Sequence, residues 1–228
     1  REYKGKGISI LSTDAMDEFV IEHSVNVAII TAFLGNQMSY NFGQLCDLVT
    51  GALLHDIGRE NAIKEKPEHV SVGFEAARAC RGFSLHSSKV CYEHHENYDG
   101  SGYPRKIKGN DISEFSRVVR VADFYDNALH GYETDNVFLM PDQAFESILA
   151  VSGQVLDPEI VEKFRDTIVF YPNGCTVLLS NGLNGVVISQ NFGSPQRPIV
   201  RVYNDMGVIG DFDLLKSLTL FVQKVMVI

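Results

Sequence analysis

Long hydrophobic runs are missing from this chain: no stretch approaches the ~20 apolar residues that a membrane helix needs, and no basic-then-apolar signal region opens it. A membrane-spanning helix is therefore excluded. Basic charge is scarce as well. Twenty Lys+Arg face 29 Asp+Glu, for a net charge of −9. Broad electrostatic capture of long nucleic acid is disfavoured, and an anionic substrate must meet local positive charge, from side chains or metal. Cysteine is sparse: Cys46, Cys80, Cys91 and Cys175 show no CxxC spacing, so reduced thiols of a cytoplasmic protein are expected. Glycine (19) and proline (7) are too few for a flexible tail, and no internal repeat or low-complexity segment occurs. There is no initiating methionine, which reads as a piece of a longer polypeptide.

What remains is a globular composition: 228 residues, 45% hydrophobic and 21% charged. Val20, His23, Val27, Ile30 and Leu34 recur at steps of three and four, one face of an amphipathic helix. Leu45, Leu48, Ala52 and His55 form a second face, with Gly58 placed to end that helix. The periodicity predicts further helices over 86–97 and 115–129, and Asp157-Pro158 predicts a helix start. Beyond Tyr171-Pro172 the pattern changes to strand, turn, strand: 177–179, then Ser180-Asn181-Gly182, then 185–188. Runs at 199–203 and 218–227 add β character. The expected architecture is mainly α over 1–171, with a small antiparallel β appendage over 172–228.

Chemistry concentrates in histidines and acids. His23, His55-Asp56, His69, His94-His95 and Asp123 are each explicable singly, as a hydrogen-bonded core histidine or a helix cap. Together they are harder to dismiss. Two histidines lie on stripes that face inward, and Asp56 is rotated about 100° from His55 if both are helical. Five buried imidazoles and two carboxylates leave many polar groups unsatisfied unless something binds them, and metal ions do so most simply. Nitrogen and oxygen ligands without thiolate suit iron, manganese, nickel, cobalt or zinc. A pair of such ions clamps in-line phosphoryl displacement, with a bridging hydroxide as nucleophile.

These residues, with HDIG at 55–58 and HHENYDGSGYP at 94–104, resemble the HD-GYP family, a branch of the HD-domain metal-dependent phosphohydrolases. The resemblance spans roughly residues 20–170, and the β-like tail is similar to an extension on some members. It implies an HD-domain helical bundle and hydrolysis of cyclic di-GMP to pGpG, GMP or both, by a bacterial signalling phosphodiesterase. It further implies an upstream sensory or receiver domain, and a cyclase-type signalling partner at the GYP loop. Position by position, His23, His55, Asp56, His69, His94, His95 and Asp123 match metal ligands, and Asp56 would bridge the ions. Three-metal members carry a glutamate where Phe19 stands, so two ions are expected, iron or manganese first, with zinc, nickel or cobalt as alternatives.

The same resemblance assigns catalysis to Asp56 and Arg59, and substrate contacts to Arg59, Gly102, Tyr103, Pro104 and Arg117. Some positions depart from the family. Arg59 replaces a lysine, keeping charge but giving up proton transfer. The stretch from Arg59 to His69 is short. Tyr132 and Asp135 stand where the family places basic phosphate clamps. Two alternatives stay open on that account: a cyclic-dinucleotide-binding or signalling module of weak or no turnover, and a phosphohydrolase for another phosphoester. Arg105, Lys106 and Lys108 are equally readable as a solvated loop or as phosphate contacts. The Asp99–Pro104 loop is equally a substrate or docking rim or a tight connection. Cys91 reads as a small buried hydrophobe, and His86 and His130 as surface or structural residues.

Overall fold

The computed structural model describes residues 19–60, 68–131 and 138–226. Among them are seven α-helices: α1 (Phe19–Gln37), α2 (Phe42–Leu53), α3 (Glu68–Ala79), α4 (Leu85–Glu93), α5 (Glu114–His130), α6 (Pro141–Ala150) and α7 (Pro158–Thr167). Five strands follow: β1 (Thr176–Leu179), β2 (Asn184–Ser189), β3 (Ile199–Asn204), β4 (Gly207–Asp213) and β5 (Val222–Met226). The chain divides into two compact units between Phe164 and Arg165, within α7. The mainly helical class with a small antiparallel sheet is thus as expected.

In the helical unit the inward stripe of α1 is real: Val27, Ile30 and Leu34 are fully buried and His23 is 3% exposed. Asn41 starts α2 with a reciprocal capping box to Gln44, satisfying two otherwise orphaned amides. Ser84 caps α4 by accepting from the Ser87 amide at 3.0 Å. Gly131 closes α5 in the left-handed conformation, φ 69°, which glycine adopts without a Cβ penalty.

Two helix ends differ from expectation. α2 stops at Leu53 rather than near Gly58, and His55-Asp56 lie in the turn that leads to a 3₁₀ turn, Ile57–Glu60. α4 likewise stops at Glu93, so His94-His95 follow it as a turn. The reason is burial: all four residues are 3% exposed or less. Continuous helix rotates neighbours about 100° apart, whereas a turn lets both point into one interior. Gly58 has a different task from the one its sequence position suggests. A Cβ there would overlap the His69 carbonyl oxygen and crowd the Gly73 amide, so the 3₁₀ turn and α3 touch backbone to backbone.

The sheet has strand order β4-β3-β2-β1-β5, antiparallel throughout. Val177, Leu179, Val187, Val200 and Val202 alternate onto its buried face. Arg201 and Asp211, paired across β3 and β4, join in a two-pronged ion pair at 2.7 and 2.9 Å. β4 was not anticipated, because GVIGDFD carries two glycines and lies at an exposed edge. The last β run is shorter than read, beginning at Val222 rather than 218.

The close approach of Gly58 to α3 yields a test. Gly58→Ala should force the 3₁₀ turn and α3 apart and cost about 1–3 kcal/mol, read as a lower urea midpoint. An unchanged midpoint would contradict the packing described.

Candidate metal centre

Five segments deliver the seven residues. α1 brings His23, the turn after α2 brings His55 and Asp56, and α3 brings His69 in its first turn. The turn after α4 brings His94 and His95, and the middle of α5 brings Asp123. None is more than 4% exposed. They assemble as two groups: Asp56, His69, His94 and His95 in one, His23, His55 and Asp123 in the other, with the potential ligand atoms of each group within 4.8 Å of one another.

Within the first group, Asp56 Oδ1 lies 3.3 Å from His94 Nε2 and 3.4 Å from His69 Nε2, and those two nitrogens are 3.4 Å apart. Within the second, Asp123 Oδ1 lies 3.2 Å from His23 Nε2 and 3.8 Å from His55 Nε2. Asp56 Oδ2 lies 3.6 Å from His55 Nε2, so the two Asp56 oxygens face different groups. Ring placement is set from behind. His55 Nδ1 lies 2.7 Å from the Ala52 carbonyl and His94 Nδ1 3.0 Å from that of Val90, each one turn back along the chain. Both contacts leave Nε2 directed inward.

Burial and charge shape the protonation of this interior. Burial pushes His55 down to about 4. It also holds His95 well below its usual range, with His94 reinforcing the effect. Burial resists charge on His23, yet hydrogen bonds to Asp123 and Asp126 outweigh it and raise the ring to about 10. Burial alone would raise both carboxylates, but His55, His94 and Arg59 hold Asp56 low, as His23 and Arg120 hold Asp123.

The arrangement fits divalent metal. His55 Nε2, Asp56 Oδ1 and His95 Nε2 are buried with no hydrogen-bond partner, a costly state that coordination would relieve. Two ligand atoms each about 2.1 Å from an ion stand about 3.0 Å apart at a right angle and about 3.4 Å at the tetrahedral angle. Four of the observed separations, 3.2–3.4 Å, fall within that interval, and the His55–Asp123 separation of 3.8 Å is slightly beyond it. Thiolate takes no part: the Cys91 thiol donates to the Leu54 carbonyl at 3.3 Å, and burial pushes it up to about 12.

The expected substrate contacts are placed unequally. Arg59 Nε is 2.5 Å from Asp56 Oδ2, at the edge of the cluster. Tyr103 stacks on His95 with centroids 4.8 Å apart, and its amide donates to the His95 carbonyl at 3.1 Å. A Cβ on Gly102 would overlap the backbone at His95–Asn97, so the glycine permits this close approach. Pro104 follows through a cis peptide bond. Arg117, also expected to contact substrate, pairs through its guanidinium with Asp157 at the start of α7, a buried carboxylate that needs a counter-charge. Arg105 similarly pairs with buried Glu93 and lies 5.7 Å over the Tyr92 ring. Tyr132 and Asp135 lie outside the described residues. An open, mainly apolar cavity of about 300 Å³, lined by Ile21, Ser24, Val25, Leu53, Leu54 and Ile57, includes Asp56 in its wall.

Several participants escaped the sequence reading. Arg120 pairs with Asp123 Oδ2 at 3.0 Å, and Asn127 donates to Asp123 Oδ1 at 2.7 Å. Asp126 Oδ2 meets His23 Nδ1 at 2.7 Å. Glu93 accepts from the Ser113 amide at 2.8 Å, and Glu96 from the Arg105 amide at 2.7 Å, which ties the GYP segment down on both sides. The signal was present in α5, where Arg120, Asp126 and Asn127 lie within one turn of Asp123. His130 is buried beside Asp126 rather than at the surface, whereas His86 is exposed and packs on Phe115.

Known proteins resemble this chain. A family profile described as "HD domain" matches residues 83–160. A cyclic di-GMP phosphodiesterase of Pseudomonas aeruginosa is 29% identical over 213 residues, 86% of this chain and 50% of that protein. A 3'3'-cGAMP-specific phosphodiesterase of Vibrio cholerae is 29% identical over 182 residues, 72% of this chain and 39% of that protein. The chain thus spans half or less of the length of these relatives. Among solved structures, a cyclic GMP-AMP-specific phosphodiesterase of V. cholerae superposes with a TM-score of 0.52 at 23% identity, covering 63% of this chain and 42% of that one. An HDG"Y"P protein of Bdellovibrio bacteriovorus gives 0.51 at 16% identity, covering 67% and 53%. The structural likenesses carry the fold alone; the HD-domain match and the relatives support the resemblance to the HD-GYP family.

The protonation pattern fixes a pH response for the metal-free protein. Unfolded histidines titrate near ~6.5. Below that, the unfolded chain binds protons that buried His55 and His95 refuse, so stability falls toward acid. His23 keeps its proton to about 10, so its contribution is full below ~6.5 and is lost as pH rises through 10. The thermal midpoint of chelator-treated protein should peak near neutrality and drop on both sides. A midpoint rising steadily from pH 6.5 to 9 would contradict this.

Proposed function

We propose, with an HD domain of the HD-GYP type as the premise, that this chain is the catalytic portion of a metal-dependent phosphodiesterase hydrolysing cyclic di-GMP to pGpG, GMP or both. In this reading residues 1–171 are the hydrolase body and 172–228 its β-rich extension. The observation that carries it is the convergence of seven buried ligand candidates in two groups, with one Asp56 oxygen toward each. Relatives named for cyclic di-GMP and 3'3'-cGAMP hydrolysis support the substrate class.

The first ion would be held by His23, His55 and Asp123, and the second by His69, His94 and His95, with Asp56 between them. Iron or manganese fits this nitrogen and oxygen set. Such ions polarise phosphoryl oxygens and acidify bound water, the chemistry that phosphodiester cleavage needs. The chain's own residues supply the rest. Asp56 fixes the spacing of the two groups. Arg59, beside it, presents a permanent positive charge to a phosphate at the cluster edge. Tyr103 orders His95 by stacking, and Gly102 lets the rim lie flat against the backbone that carries it.

Iron- or manganese-loaded protein incubated with cyclic di-GMP, and separately with 3'3'-cGAMP, should release linear dinucleotide or mononucleotide from at least the first. No product from cyclic di-GMP with either metal overturns the proposal for that substrate. Product from 3'3'-cGAMP alone reassigns the specificity within the class. Asp56→Ala should lose metal and activity together, because it organises both groups. Arg59→Ala should keep its metal and lose about 10²-fold in kcat. Metal retained at an unchanged rate in Asp56→Ala would refute the role given to that carboxylate.

A further inference from the structure

We propose that Asp126 is the positioning residue of the His23–His55–Asp123 group: it fixes the His23 ring from α5 so that Nε2 faces Asp123 and His55. This rests on reading the cluster as a metal centre.

His55 and His94 take their Nδ1 anchors from backbone carbonyls in the preceding turn, Ala52 and Val90, which no side-chain substitution removes. His23 is built differently. Its Nδ1 meets a side chain on another helix, Asp126 Oδ2 at 2.7 Å, while its Nε2 lies 3.2 Å from Asp123 Oδ1. A histidine meets a carboxylate through N–H, so this contact holds a proton on Nδ1 and turns Nε2 toward Asp123 and His55, where an ion would take the place of the Nε2 proton. Asp126 is itself fully buried. Its other oxygen lies 3.2 Å from His130 Nδ1, and that nitrogen also lies 3.0 Å from the Asp126 carbonyl oxygen, one turn along α5. α5 therefore supplies both a ligand candidate, Asp123, and, three residues later, the carboxylate that aims a second candidate on α1. Without Asp126, the His23 ring would lose the contact that chooses its rotamer and tautomer, while the Asp56–His69–His94–His95 group would keep all of its own contacts.

Calorimetric titration of chelator-treated protein with Mn²⁺ tests this without reference to turnover. The parent should take up two ions. Asp126→Ala should bind one of the two 10–100-fold more weakly and the other as before, a split that general loosening of the fold would not produce. Asp126→Asn retains the side-chain volume, keeps the proposal testable if the alanine variant does not fold, and should weaken the same ion by a smaller factor. Two unchanged binding steps in either folded variant overturn the inference alone, and so does equal weakening of both steps. A parent protein that binds no Mn²⁺ overturns the metal reading and this inference with it.

Discussion

The structure depends on a concentration of polar groups that water has been made to leave. Asp56 and Asp123 are buried carboxylates among five buried imidazoles, and taking each charge out of water costs several kcal/mol unless partners restore it. Protein partners restore part of it. Asn127 and Arg120 satisfy Asp123, and Arg59 satisfies one oxygen of Asp56. The remainder is concentrated at Asp56 Oδ1, His55 Nε2 and His95 Nε2, each buried without a hydrogen-bond partner. Among the described residues no further protein group completes this interior, and a cation would do so, which is why the electrostatics and the proposed chemistry lead to the same atoms.

The fold's contribution is to bring five separate segments to one point while leaving their backbones satisfied. It does so mostly with turns. α2 and α4 end just before their paired ligand candidates, so that His55-Asp56 and His94-His95 both turn inward. Backbone contacts then set the spacing: Gly58 against His69 and Gly73, and Gly102 against His95 and Asn97. Side-chain anchors lie further out, with Glu93 and Glu96 tying the segment after GYP to the end of α4 and the start of α5.

Much of this was legible in the sequence, for identifiable reasons. The α1 stripe and the Asp157-Pro158 start are periodicity and capping, local signals that survive into the structure. The seven ligand candidates were legible because HDIG and HHENYDGSGYP fix several of them together, so a long motif compensates for the weakness of each histidine alone. What stayed hidden depends on distant neighbours. The end of α2 before Gly58 is decided by burial of Asp56, not by helix propensity in that stretch. Arg117 and Arg105 looked available in the sequence, yet Asp157 and Glu93 engage them across 40 and 12 residues. Asp126 carried no motif, and its role shows only once α1 and α5 are side by side.

The central claim is that two metal ions occupy the two groups. Diffraction from iron- or manganese-loaded crystals, collected at the metal's absorption edge, reports it directly. The account predicts two anomalous peaks, one within coordination distance of His23, His55 and Asp123 and one beside His69, His94 and His95, with Asp56 reaching both. A single peak, or peaks bound to none of these side chains, would contradict it.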